Sequence, residues 1–178
     1  MKDLARVQID YLDENIMPLN EEALNWRPHK YRWNIYEVTE HLNRFGVFYL
    51  PKMRDVIDYP RSAKKSDFYK SSFFGEFAFK RIRPVDGVVT NKAKTLSKNN
   101  PFLRVLDRSV LEEHKEQLEK FIDLCHQAED VNLSKNALPT MLSKYVKLNL
   151  GDSMRIMIYH SERHYIQLDN LVHQRMDA

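Results

Sequence analysis

Glycine constrains the fold of this chain most, because there is so little of it. The 178-residue sequence contains 4 glycines, whereas average usage of about 7% would give about 12. All-β folds and glycine-rich phosphate-binding loops need glycine for turns and for close backbone approaches. The sequence therefore disfavours both of these classes and predicts an all-α fold.

Length and composition indicate one globular domain. A domain typically has roughly 100–200 residues, so we expect a single domain spanning residues 1–178. Hydrophobic residues make up 43% and charged residues 30% of the chain, which excludes a disordered or low-complexity protein. The net charge of +3 is too small to indicate a nucleic-acid partner by itself.

The sequence has no feature of an exported or membrane protein. Its one cysteine, Cys125, cannot form an intramolecular disulfide and lies on an apolar helical face, as expected of a buried thiol in a reducing compartment. No apolar run approaches the roughly 20 residues that span a bilayer. The first residues are partly acidic and lack an apolar signal core. We therefore expect a cytoplasmic protein without a membrane segment.

The first half of the chain predicts two long helices. An apolar stripe runs through residues 3–17 and stops at Pro18. The second helix has a clear start, because Asn34 is a good N-cap and Glu37 follows three residues later, as in a capping box. This helix should extend to about residue 58, with a kink or an earlier end at Pro51.

The second half predicts two more long helices. The third should begin at the cap Asn100, with Pro101 in the favoured first position, and end near Asp130. Its apolar face would include Leu103 and Leu106. The fourth helix covers about residues 151–173. Four long helices with long connections between helices 2 and 3 and between helices 3 and 4 suit a four-helix bundle with crossovers.

The connection over residues 60–100 is irregular, basic and aromatic. A short helix fits residues 71–81, and a stretch of this length is more typical of a crossover or lid than of a second domain. Aromatic and basic residues alternate here, which can mark single-stranded nucleic-acid binding. Packing of the crossover against the bundle explains the pattern as well, and we favour it. The residues concerned are Phe68, Tyr69, Phe73, Phe74, Phe77 and Phe79, with Lys64, Lys65, Lys70, Lys80 and Arg81.

Two histidines of the last helix could bind a metal ion together. His160 and His164 are spaced i and i+4, so their rings lie on one helix face. Both could reach one ion at the roughly 2.0–2.1 Å of a Zn–N bond. Gln167 follows on the same face. The pair alone is a weak signal, and the protease motif H-E-x-x-H is absent, because position 161 is serine.

A third histidine would complete a site, and the sequence offers two candidates. His41 lies among the apolar residues of helix 2, and His114 lies between Val110 and Leu118 on helix 3. A buried histidine needs a partner, and three histidines with an open position form the usual catalytic zinc site. Position alone does not choose between the two. If His114 is not a ligand, it would be a core histidine or would support a ligand from behind. If His41 is not a ligand, it would be a half-exposed histidine bonded to a carbonyl.

Around these histidines the sequence resembles a known family. Residues 26–42, WRPHKYRWNIYEVTEHL, are similar to a characteristic stretch of the DinB superfamily. That group includes metal-dependent hydrolases of the YfiT type and the bacillithiol and mycothiol S-transferases. Residues 148–152, LNLGD, and 159–167, YHSERHYIQ, are similar to the family's closing helix. The resemblance covers about residues 1–58 and 101–173, whereas residues 60–100 are longer and more basic than the family pattern.

The resemblance implies a DinB-like four-helix bundle and a metal site built by His41, His160 and His164, which favours His41 over His114. It also implies one divalent ion, commonly zinc or nickel, and often a homodimer.

From the resemblance we expect a metal-dependent enzyme that activates water or a low-molecular-weight thiol, for hydrolysis or S-transfer of a small molecule. Tyr159 and Gln167 are the nearest candidates for contacting substrate. The basic residues of 60–100 would favour an anionic ligand. No general base is evident, so the catalytic residues stay unassigned. The alternative is a non-catalytic metal-binding or stress-related interaction protein.

Overall fold

The computed structural model describes residues 1–62, 66, 68–91 and 95–176. Lys64 and Lys65, two of the basic residues singled out above, lie outside these ranges. The structure is 62% helix, and the all-α four-helix bundle predicted from the sequence is confirmed. The helices are α1 Lys2–Tyr11, α2 Glu21–Asn25, α3 Ile35–Asp58, α4 Phe73–Ile82, α5 Ser109–Gln127 and α6 Leu150–Met176, and the strands are β1 Ala137–Pro139 and β2 Lys147–Asn149.

The bundle consists of α1, α3, α5 and α6. Helix α1 continues into a π-helical turn, Leu12–Ile16, so together they match the predicted first helix. Helix α3 packs against α5 and α6, and α1 packs against the same two helices. The two strands form a short antiparallel ladder in the connection between α5 and α6. Within the described ranges, every helix is too short or too polar to span a bilayer.

Helix α3 begins with the predicted capping box. Asn34 Oδ1 accepts a hydrogen bond from the Glu37 backbone N–H at 2.8 Å, and the Glu37 carboxylate accepts one from the Asn34 N–H at 3.1 Å. Helix α3 continues through Pro51 to Asp58, the end predicted for it, so of the two alternatives at Pro51 the early end is wrong. Proline removes the bond to the carbonyl four residues earlier. That residue, Val47, faces solvent, where water can satisfy the carbonyl.

The predicted start of the third long helix at Asn100 and Pro101 is wrong, because α5 begins at Ser109. The Asn100 side chain accepts a hydrogen bond from the Phe102 backbone N–H at 3.1 Å, which closes a turn instead of a helix. Leu103 then has a φ of 59°, a left-handed conformation that interrupts a right-handed helix. Leu103 is accordingly exposed and does not join the apolar face.

The crossover after α3 is fixed to α6 by a buried carboxylate. Asp152 of α6 accepts hydrogen bonds from the Ser72 N–H at 2.9 Å and hydroxyl at 2.7 Å, and from the hydroxyls of Tyr69 and Ser71. These contacts place α4, the predicted short helix, against α6, where Phe79 is buried. The side chains of Phe68, Phe73, Phe74, Phe77, Lys70, Lys80 and Arg81 are exposed. Packing of the crossover against the bundle therefore explains only some of its aromatic residues.

Candidate metal centre

Three histidines from two helices converge in the bundle. His41 comes from α3, and His160 and His164 come from successive turns of α6. The Nε2 atoms of His41 and His160 lie 3.4 Å apart, and one ring nitrogen of each histidine lies within 4.8 Å of the other two. Two nitrogens bound to one tetrahedral zinc ion are about 3.3 Å apart. The separation of His41 Nε2 and His160 Nε2 therefore already fits a shared ion.

Neighbouring oxygens orient two of the three rings. His41 Nδ1 lies 2.9 Å from the Asn99 backbone carbonyl, which can only accept, so this nitrogen carries the hydrogen. His164 Nδ1 lies 3.0 Å from Gln167 Oε1. A histidine that donates from Nδ1 keeps the Nε2 lone pair free for a metal, and such outer contacts also fix the ring orientation. Both rings are therefore set to ligate through Nε2.

The three imidazoles are neutral near pH 7. Burial lowers the pKa of His41 and holds that of His160 well below its usual range. Burial also lowers the pKa of His164 to about 3. Only the neutral imidazole can bind a metal ion. The enclosure of the site therefore keeps all three imidazoles in the form that could bind a metal ion.

Aromatic rings enclose the histidines. The Trp33 ring lies 5.0 Å from that of His41 and 6.3 Å from that of His164. The Phe45 ring stacks on His160 at 4.3 Å. Sequence reasoning missed this role of Phe45, although its position four residues after His41 places it on the same face of α3.

The loop that supplies the Asn99 carbonyl is anchored by a buried ion pair. Glu37 is 0% exposed, and its carboxylate binds the Arg27 guanidinium, with one N···O distance of 3.1 Å. The same carboxylate accepts the Leu103 backbone N–H. The Asn100 side chain accepts the Trp33 indole N–H at 3.1 Å. A buried carboxylate needs such compensation, and here that compensation holds the 99–103 loop beside His41.

His114 is a core histidine separate from the three. Its Nδ1 lies 3.1 Å from Asn43 Oδ1, and burial lowers its pKa to about 4. The structure thus separates His114 from His41, which sequence position alone could not do. His29, His126 and His173 are exposed. Cys125 is buried, as predicted.

The two candidate substrate residues have different surroundings. Gln167 contacts the site directly through His164. The Tyr159 ring packs edge-on against Phe79, at 4.9 Å between centroids. Within the described residues, we find no hydrogen bond from its hydroxyl to the three histidines. A role for Tyr159 in substrate binding stays a prediction.

The positive charge nearest the histidines comes from the bundle helices. Arg44 of α3 and Arg163 of α6 both disfavour protonation of His41 and so contribute to its low pKa. Arg163 donates to the backbone carbonyls of Asn91 at 2.6 Å and Ile82 at 3.4 Å, which ties the crossover to the site. Of the basic residues of 60–100, the described Lys70, Lys80 and Arg81 are exposed, and their role in attracting an anionic ligand stays a prediction.

Comparison with known proteins agrees with this architecture. The sequence profile of the DinB superfamily matches residues 4–168. Among solved structures, YfiT from Bacillus subtilis superimposes with a TM-score of 0.61 at 14% identity, over 99% of this chain and 85% of that chain. It is described as "a probable metal-dependent hydrolase with an unusual four-helix bundle topology". No curated protein matches the chain. At this identity the likeness to YfiT concerns the fold.

Proposed function

This chain belongs to the DinB superfamily, and we propose that it is a metal-dependent enzyme whose divalent ion binds His41, His160 and His164. The observation that carries this proposal is the convergence of the three ring nitrogens within 4.8 Å of one another. Catalytic zinc sites use three protein ligands and leave a position for water or substrate, whereas structural sites use four protein ligands. A group of three neutral histidines fits the catalytic arrangement.

A divalent ion at this site would act as a Lewis acid, which lowers the pKa of a coordinated water or thiol. The chain's own residues have other tasks. Asn99 and Gln167 hold the rings of His41 and His164, and Trp33 and Phe45 limit the access of bulk water. Imidazole ligands suit zinc, nickel, copper and iron alike, and from the resemblance to the family we propose zinc or nickel.

We further propose a small anionic substrate, handled by hydrolysis or by S-transfer to or from a low-molecular-weight thiol. Arg163 supports this proposal, because its half-buried guanidinium is bonded to two carbonyls, which carry no net charge. An incoming carboxylate or phosphate would gain a charge-assisted hydrogen bond there. From length and composition we also propose a single domain over residues 1–178 and a cytoplasmic location, and from the resemblance to the family a homodimer.

The second candidate function is metal binding without catalysis. It is favoured by the lack of a general base, since in the described part of the chain the ligand group contains histidines and no carboxylate. The nearest acid in sequence, Glu40, is bonded to Arg44 at 2.7 Å. In this case the protein would bind the ion and interact with partners without turning over a substrate.

The first experiment is to measure the metal content of protein purified without a histidine tag. We expect one zinc or nickel ion per chain. The loaded protein is then titrated with thiols and with carboxylate and phosphate esters. Turnover of esters without thiol supports hydrolysis, and thiol binding followed by transfer to an electrophile supports S-transfer. Metal binding without either reaction would support the second function. A protein that binds no metal contradicts both.

The anionic substrate is tested with Arg163→Gln. We expect this change to raise KM for anionic esters about tenfold, the lower part of the range for one lost charge-assisted bond. The KM for neutral esters should not change. Arg81→Gln is the control, because Arg81 is exposed on α4. Equal effects on neutral and anionic esters would contradict the assignment of Arg163.

A further inference from the structure

His160 differs from the other two proposed ligands at its outer ring nitrogen. His41 Nδ1 contacts the Asn99 carbonyl, and His164 Nδ1 contacts Gln167. His160 Nδ1 is fully buried and has no hydrogen-bond partner among the described residues. Metal-bound histidines almost always donate their second ring N–H to a carboxylate, a carbonyl or a water. The third ligand therefore lacks the support that the other two have.

A second buried imidazole nitrogen, on His114, lacks a hydrogen-bond donor. His114 Nε2 is also buried without a partner in the described chain. The Asn43 amide donates to the Val110 carbonyl at 2.8 Å, so Asn43 Oδ1 faces His114 Nδ1 and accepts its hydrogen. His114 therefore carries its hydrogen on Nδ1, which leaves Nε2 as an acceptor.

The unpaired nitrogen of His160 has the opposite hydrogen-bonding character. Its Nε2 faces His41 Nε2 at 3.4 Å, toward the centre of the three histidines. When Nε2 holds a metal ion, the ring's hydrogen must be on Nδ1. His160 Nδ1 is then an unpaired donor, and His114 Nε2 is an unpaired acceptor.

Both histidines line one cavity between α3, α5 and α6. Its volume is about 20 Å³, and a water molecule needs about 10–15 Å³ of such space. A purely apolar cavity stays dry, but a water is retained where two to four polar groups meet it. Ser161 also lines this cavity. Its hydroxyl hydrogen goes to Gln8 Oε1 at 2.8 Å, which leaves a lone pair on Ser161 Oγ.

We propose that one buried water bridges His160 and His114, accepting from His160 Nδ1–H and donating to His114 Nε2. His114 is then a positioning residue for the ligand His160, acting from a different helix through the water. This inference rests on the proposed function, because metal binding at Nε2 is what places the hydrogen of His160 on Nδ1. It gives His114, which the sequence offered as a competitor of His41 for the third ligand position, a supporting role instead.

Two substitutions at His114 separate the bridge from the packing. His114→Asn keeps a donor to Asn43 but has no acceptor at the position of Nε2. His114→Gln places an amide oxygen near that position. We expect His114→Asn to weaken zinc affinity about tenfold, the lower end of the usual effect of losing such a contact, and His114→Gln to restore it to within about threefold of the wild type. Affinity is measured by competition with a chelator.

A matched control tests whether a loss of folding stability alone lowers zinc affinity. Leu111→Ala changes another fully buried residue of α5 that does not line the cavity. It should lower the folding stability, because it leaves a cavity in the core, and leave zinc affinity unchanged. An equal loss of affinity in Leu111→Ala and His114→Asn would overturn the inference.

The bridge can also be tested in the wild-type protein. This measurement does not depend on how the variants fold. Nitrogen-15 NMR of zinc-loaded protein should show a slowly exchanging His160 Nδ1–H with a cross-peak to a long-lived water. A dry cavity in a high-resolution crystal structure, or an unchanged zinc affinity in His114→Asn, would overturn the inference and leave the metal site intact. The proposed function fails by a separate result. It fails if the wild type binds no metal, or if the His160→Ala variant binds metal as well as the wild type does.

Discussion

Two groups of buried polar residues in this bundle contain histidine and differ in what the ring faces. In the metal-site triad, His41, His160 and His164 direct ring nitrogens at one another. In the core polar cluster, formed by His114, Asn43 and Gln117, amide groups take the place of other imidazoles. Both groups lie on apolar helix faces. The difference teaches that the partner, and not burial, decides whether a histidine is available to a metal.

The largest expected effect tests this difference directly. Structural zinc sites with four ligands bind with about 10–16 kcal/mol, so one lost ligand costs roughly 3–4 kcal/mol, or about 100–1,000-fold in affinity. We expect this loss in His41→Ala and His164→Ala, measured by chelator competition. His114→Ala should keep the site nearly fully occupied when metal is in excess.

His126→Ala is the surface control, because His126 lies on α5 and is exposed. Its metal affinity should equal that of the wild type. If His114→Ala emptied the site while His41→Ala remained loaded, the two groups would have been assigned the wrong way round.

The fold was readable from the sequence where local rules agreed with packing. Helix α3 begins at the predicted Asn34 because its capping box is complete within four residues. The start of α5 was not readable, because the Asn100 side chain bonds to Trp33, 67 residues earlier in the chain. No local pattern contains that contact, and a good capping residue followed by proline fits a turn as well as a helix.

The second effect concerns pH, and the test isolates the part of it that comes from the core cluster. In the unfolded chain His114 binds a proton below its ordinary pKa of 6.5, whereas burial in the fold lowers that pKa to about 4. Between these pH values the unfolded state binds more protons, so folding stability falls as pH falls. The contribution of His114 amounts to about 3 kcal/mol over this window.

The measurement is urea unfolding of metal-free protein at pH 7 and at pH 4.5. His114→Gln cannot titrate, so its stability should fall less than that of the wild type over this range. The histidines of the metal-site triad are present in both proteins. Their contribution to the loss of stability is therefore the same in both, and it cancels in the comparison. Equal losses in the two proteins would show that His114 is protonated in the fold, contrary to its burial.

The site was readable in part. The spacing of His160 and His164 predicts a shared face, and the family resemblance adds His41. The supporting groups were not predictable as such. The Asn99 carbonyl is a backbone atom that any residue could supply, and its place depends on the Arg27–Glu37 ion pair that anchors the loop. The cavity behind His160 is a property of three packed helices, which one sequence does not specify.

The smallest expected effect compares the direct support of His164 with the water-mediated support proposed for His160. Gln167→Ala removes the acceptor that lies 3.0 Å from His164 Nδ1. We expect metal affinity to fall about tenfold, or about 1.4 kcal/mol, because the ring loses its fixed orientation. Gln167→Glu keeps an acceptor at this position and should restore the affinity. Asn170→Ala, an exposed change on the same helix, is the control. If Gln167→Ala raised KM and left metal affinity unchanged, Gln167 would serve the substrate instead of the ligand, and the triad would need less support than its geometry indicates.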